Sequence, residues 1–261
     1  VISAWRMPQW LTEPAGRGPE SRTRRLRAEM WPEMLEAVGS YLVYAKEHYG
    51  VEPNLFSFNE ANIGVDLLLS PEEHREMIKR LGAHVKKLGL KTKMLLGDTA
   101  SARGTHTYCL PAANDPEAMQ YVGAVAFHSW GGASPEDYRA WADLADRLKL
   151  PLLDAELGVD AGAWRDRSYD SFFYATREVE MYQDVILHAR VRGTQQWEFT
   201  NDYSIVHEKK DAAGKSVIEP TVRFHFVKHF CNLTPRGSEV LATASDHPKV
   251  ALTAFRGKDG V

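Results

Sequence analysis

Two glutamates stand in settings that suit paired carboxylate chemistry, Glu60 in the run FSFNEAN and Glu156 in LLDAELG. Each closes a short apolar run. Around them recur side chains that bind rather than react: Asn59 directly before Glu60, Asp98 in MLLGDT, His128 and Trp130 in FHSWGG, Trp197 in QQWEF, and Trp5 and Trp10 in the opening ISAWRMPQWL. Two carboxyls facing each other across a cleft can split a glycosidic bond, one protonating the leaving oxygen while the other attacks or activates water. Indole faces suit pyranose rings, and Asn and His add directional hydrogen bonds. Glu198, Asn201 and Tyr203 are further pocket candidates, with His106 and Tyr108 behind them.

These residues can act together only if the chain brings them to one place, and the pattern of elements says how. Short apolar runs predict strands at 1–4, 54–58, 92–96, 122–127, 151–155 and 194–197. Longer amphipathic stretches predict helices at 31–49, 71–88, 135–148 and 171–191, the second and third opened by Ser70-Pro71 and Ser134-Pro135, an N-cap followed by a first-turn proline. The connection 99–121 reads as irregular, with a short helix at 115–120. A last helical stretch at 221–230 precedes alternating runs at 238–243 and 250–255.

Strand and helix in alternation imply a parallel sheet covered by helices, either an open doubly wound sheet or a closed (β/α)8 TIM barrel. In both, function gathers at the carboxyl ends of strands. Those ends carry Trp5-Arg6, Asn59-Glu60, Asp98, His128-Ser129-Trp130, Glu156 and Trp197-Glu198. In a closed barrel the second and fifth strands, which carry Glu60 and Glu156, face one another across one mouth. A separation of roughly 5 to 5.5 Å marks a retaining enzyme and roughly 6.5 to 9.5 Å an inverting one. Six strand units against the barrel's eight lead to the expectation of a barrel truncated at its amino end, with catalytic residues 1–232 and the start of a partial β appendage at 233–261. Such a sheet would expose unpaired edges and favour association.

Composition narrows the partners. The 261 residues are 44% hydrophobic and 26% charged with a net charge of -3, the profile of a packed globular chain without a global attraction to polyanions. The basic run at 22–27 reads as a solvated surface or a salt-bridged helix start. No nucleic acid and no membrane insertion are expected, since no apolar run reaches the length of a membrane helix. Cys109 and Cys231 make no zinc signature, and a single disulfide between them is left open. Oligomeric state has no signal.

The motifs resemble those of the clan A glycoside hydrolases. In that clan the acid/base follows an Asn at the end of barrel strand four and the nucleophile ends strand seven, so the resemblance implies Glu60 as acid/base, Glu156 as nucleophile and Asn59 as the partner of the sugar 2-hydroxyl. The opening ISAWRMPQWL is similar to the strand-three segment of glycoside hydrolase family 30, and FHSWGG to its strand-six His-x-Tyr segment. Asn-Glu-Ala replaces the usual Asn-Glu-Pro, Trp130 stands where a Tyr is usual, and Arg6-Met7-Pro8 replaces Ser-Pro-Pro. The implied activity is retaining hydrolysis of a β-linked glycan by a secreted or periplasmic enzyme, with a carbohydrate substrate and no metal or other cofactor. Two alternatives stand beside it. One is a non-catalytic glycan-binding or incomplete barrel. The other is a metal-dependent barrel hydrolase, suggested by ten histidines but lacking a His-x-His pair at a strand end.

Overall fold

A run of six short strands carries the site residues, and each strand follows from its sequence. The computed structural model describes residues 1–13, 24–65, 67–199, 202–247 and 249–260. Strands β1 (Ile2–Ala4), β2 (Leu55–Phe58), β3 (Lys93–Thr99), β4 (Val122–His128), β5 (Leu152–Leu157) and β6 (Gly193–Gln196) form one parallel sheet in chain order. Ile2 pairs with Phe56, Leu55 with Lys93 and Leu96 with Val125. Neighbours in sequence are neighbours in the sheet, as strand-helix-strand connections dictate.

Most helices between them lie close to their expected bounds. The helices are α1 (Trp31–Tyr49), α2 (Pro71–Lys87), the single-turn α3 (Leu110–Ala113) and α4 (Pro116–Met119), α5 (Pro135–Leu148), α6 (Phe172–Asp184) and α7 (Val222–Leu233). α6 ends at Asp184, where the helix expected over 171–191 gives way to a π-helical turn (Val185–Ala189). At α2 the Ser70 hydroxyl accepts from the Glu73 amide while the Glu73 carboxylate takes the Ser70 amide, so both orphan donors are satisfied. Gly50, with φ of 64°, closes α1 in the left-handed conformation that an L side chain resists.

By packing, the chain forms two compact units, one of Val1–Phe127 with Asp143–Leu153 and the other of His128–Ala142 with Asp154–Val261. In the first, Met34, Val38 and Leu42 recur every fourth residue on α1, and Met77, Leu81 and Val85 do so on α2; all are buried. Phe56, Phe58, Leu95, Leu96, Val125 and Phe127 supply the buried strand residues, each worth roughly 1.5–3 kcal/mol when removed from water. The second unit holds a tyrosine-rich core of Ala163, Tyr169, Tyr174 and Tyr203, with Trp130, Val159 and Trp197 packed against it.

Several elements differ from expectation. β3 runs on to Thr99, and the connection after it contains a 3-10 turn (Thr105–Cys109) and α3 besides the anticipated short helix. A hairpin, β7 (Val206–Lys210) and β8 (Ser216–Pro220), had no strand signal because most of its side chains are solvated. Its turn closes through the Asp211 amide on the Lys215 carbonyl with Gly214 at φ of 77°. The alternating runs at the end pair as the antiparallel β9 (Glu239–Leu241) and β10 (Ala254–Arg256), within the second unit. Cys109 is buried and Cys231 exposed, and both are free thiols. In the basic run, Arg25 pairs with Glu73 at 2.9 Å.

Candidate active site

In the first unit, β2 and β3 end side by side, and their last residues are tied together. The Asn59 amide donates to the Ala4 carbonyl (3.1 Å), and the Glu60 amide to the Asp98 carbonyl (3.1 Å). Glu60 and Asp98 both take positive φ, 46° and 55°, a conformation that non-glycine residues adopt at a cost and that is concentrated at functional sites. The Glu60 carbonyl in turn accepts from the amides of Ile63 and Gly64, closing a tight turn around the glutamate. Asn59 is buried, and its Nδ2 meets no acceptor among the described residues, so a donor is held ready at the strand end.

Beneath them lies a polar ladder that the sequence reading passed over. Asp98 is buried, and its Oδ2 accepts from Ser57 (2.6 Å) and Ser3 (3.0 Å), whose hydroxyls also meet each other. Ser57 sits two residues before Asn59, so strand parity alone signalled their shared face. His74 on α2 accepts the Gly97 amide at Nε2 (3.2 Å), and burial pushes its imidazole down to about 4, keeping it neutral. Trp5 and Trp10 are exposed, at 42% and 54%. Tyr108 is buried with its hydroxyl on the Leu69 carbonyl, and His106 lies in the 3-10 turn.

In the second unit, Glu156 emerges from β5 buried and held. Trp130 donates its indole N–H to Glu156 Oε2 (3.0 Å), and His128 Nδ1 lies 3.2 Å from the same oxygen. The Ser129 amide bonds the Glu156 carbonyl (3.1 Å), which locks β4 and β5 in the register that sets His128 beside Glu156. Donors aimed at a carboxylate keep it charged and oriented, the condition a nucleophile needs.

The indole that makes this bond is itself wedged. It lies against Gly158, where an added Cβ would meet its ring at 2.2 Å, and it tilts against Tyr203 at 5.5 Å. Tyr203 is fixed by its hydroxyl on the Asp160 carbonyl (2.7 Å). Trp197 donates its amide to Leu157 (3.1 Å), precedes a cis peptide bond to Glu198, and offers its carbonyl to Arg223 Nη2 (2.9 Å). Arg223 and Glu178 form a buried two-pronged ion pair, 3.0 and 2.7 Å. Burial pushes the Glu198 carboxyl up, and pushes that of Asp154, two residues before Glu156, up to about 7. Asn201 lies outside the described residues.

No family model and no curated protein matches the chain. Solved structures do. A GH30 endoxylanase from Clostridium papyrosolvens C71 superposes over 99% of this chain with a TM-score of 0.77 at 17% identity. The chain has the fold of glycoside hydrolase family 30. SrfJ from Salmonella typhimurium matches 99% of the chain with a TM-score of 0.77 at 18% identity, and an endo-β1,6-glucanase does so with a TM-score of 0.73 at 18% identity. The chain spans 61%, 59% and 62% of the lengths of these three. The family-30 fold is thus a (β/α)8 barrel carried here over six strands, as the strand count anticipated. Within that fold Asn59, Glu60 and Asp98 gather in the first unit and His128, Trp130, Glu156 and Trp197 in the second. Ser3, Ser57, Asp154, Gly158 and the Glu178–Arg223 pair are the members that sequence reasoning missed. For Asp154, as for Ser57, alternation along the strand was the available signal. For Glu178 and Arg223, 45 residues apart, there was none.

Proposed function

We propose that the chain is the greater part of a retaining glycosidase acting on a β-linked glycan, with Glu60 as acid/base and Glu156 as nucleophile. The observation that carries this reading is the pair of donors, Trp130 and His128, converging on one oxygen of a buried strand-end glutamate in a family-30 fold. In the first step the Glu156 carboxylate attacks the anomeric carbon while Glu60 gives its proton to the departing glycosidic oxygen. In the second, Glu60 takes a proton from water, the water oxygen attacks the same carbon, and Glu156 is released as carboxylate with the configuration restored. The unpartnered Asn59 Nδ2 suits the sugar 2-hydroxyl, a contact that tightens as positive charge builds on the ring. Trp5, Trp10 and Trp197 serve as ring platforms. Asp98 acts from below, through its carbonyl on the Glu60 amide.

Xylanase and glucanase activities among the matching structures support a polysaccharide substrate. Polysaccharides do not cross membranes, which supports export of the enzyme. No described helix is long and apolar enough to span a membrane. Residues 233–261, with the β9–β10 hairpin, are read as the start of an appended β domain. Hydrolysis of aryl β-glycosides tests the assignment: Glu156→Ala should abolish it, and added azide should restore turnover with a product of inverted configuration. Undiminished activity in both Glu60→Ala and Glu156→Ala overturns it. Because the chain spans about 61% of the xylanase it matches, a glycan-binding role without turnover is the second reading, met by binding of xylan or glucan with no reducing ends released.

A further inference from the structure

Asp154 has no part in the double displacement, yet it lies two residues before Glu156 on β5, so the two side chains leave the strand on one face. It is fully buried, and among the described residues neither carboxyl oxygen has a hydrogen bond of good geometry, although the Ser129 hydroxyl and the amides of Ser129 and Glu156 are near enough to favour its charged form. A carboxylate buried there without well-aligned donors is disfavoured in its charged form, so such a group tends to keep its proton. Burial pushes Asp154 up to about 7, with His128 and the Ser129 hydroxyl pulling it back only in part. The titratable groups acting on Asp154 come from three elements: His128 from β4, Glu156 through its amide on β5, and Tyr182 from α6, whose hydroxyl is committed to Gln196 (2.9 Å). His128 is the shared neighbour. Its Nδ1 faces Glu156, and its charge is felt by Asp154.

We propose that Asp154 is a positioning residue that acts on Glu156 through His128: protonated, it leaves His128 to Glu156, and ionised, it competes for His128 and loosens that contact. The proposal rests on the reading of Glu156 as nucleophile. The carboxyl O–H of Asp154 breaks, its proton passes to solvent, and no bond to substrate changes. Catalysis therefore weakens as pH rises through the titration of Asp154. An uncharged isostere keeps His128 on Glu156 at every pH.

Two measurements test this. In protein labelled with 13C at aspartate carboxyls, one signal should titrate with a midpoint near 7, be missing in Asp154→Asn, and move to higher pH in His128→Asn, where the imidazole no longer favours the charged carboxylate. The ratio of kcat/KM in Asp154→Asn to that in the parent, for an aryl β-glycoside from about pH 5 to about pH 9, should rise as pH passes about 7, since the alkaline limb set by Glu60 as acid is common to both. A parent with no aspartate titrating near 7, a midpoint unmoved in His128→Asn, or a ratio that does not rise each overturns the proposal. If Asp154→Asn does not fold, the parent and His128→Asn titrations decide alone. If no protein turns over substrate, the role of Glu156 fails, while the carboxyl titrations still decide whether Asp154 and His128 are coupled.

Discussion

At the scale of single residues, the arrangement around Glu156 turns on an indole placed by the absence of a side chain. Trp130 reaches Glu156 because Gly158 leaves room for its ring. Trp130→Phe keeps an aromatic ring but deletes the donor with the five-membered half of the indole, and a hydrogen bond to a charged group is worth about 1.5–3 kcal/mol. A loss of kcat/KM of about ten-fold or more is expected in steady-state assays. Gly158→Ala should reproduce that loss without touching Trp130 chemically, since its methyl would occupy the ring's place. Asp154 carries a second expectation, for stability. Its folded carboxyl titrates at about 7 against a usual 3.8, so the folded chain binds the extra proton between those values and stability falls as pH rises through that window. The full effect is about 4 kcal/mol. His74 works in the opposite sense, because its depressed imidazole, about 4 against 6.5, makes folding more favourable as pH rises from 4 to 6.5. Denaturant unfolding at a series of pH values should therefore show Asp154→Asn gaining on the parent steadily from pH 4 to 7. Equal gain at both ends would remove Asp154 as the cause.

At the scale of elements, α6 and α7 are joined to the strand-end loop after β6 by one buried ion pair. Arg223 on α7 binds Glu178 on α6 with two N–H groups and also the carbonyls of Trp197 and Tyr203. Taking one partner from such a pair strands a charge in the interior, at a cost of about 3–5 kcal/mol. Arg223→Met should lower the unfolding free energy by that much in urea titrations, and Glu178→Leu combined with Arg223→Met should recover part of it. If the double variant is the worse of the two, the pair contributes more than removal of an unpaired charge explains. The same scale shows why the helices were legible and the β7–β8 hairpin was not. Every-fourth-residue burial on α1 and α2 writes the helical period into the sequence, whereas a hairpin solvated on most of its side chains leaves no alternation to read.

At the scale of the whole molecule, the sheet runs from β1 to β6, and neither end strand has a further ladder partner among the described residues. Open parallel edges are templates for pairing with another chain. The 261-residue chain should show concentration-dependent light scattering, reduced by Gln195→Lys, which sets a charge on the exposed position of β6. Scattering that is independent of concentration would mean the edges are protected. The sequence by itself determined the order and kind of the six strands and their helices, because period and capping are local. It also determined which polar residues end each strand, because a parallel α/β array sends function to that end. Only the tertiary structure decided that Trp130 and His128 meet one oxygen of Glu156, that Gly158 makes room for the indole, and that Asp98 and Asp154 are buried. Those outcomes depend on register between strands and on the space left by residues far away in the chain, and neither is written in any short stretch of sequence.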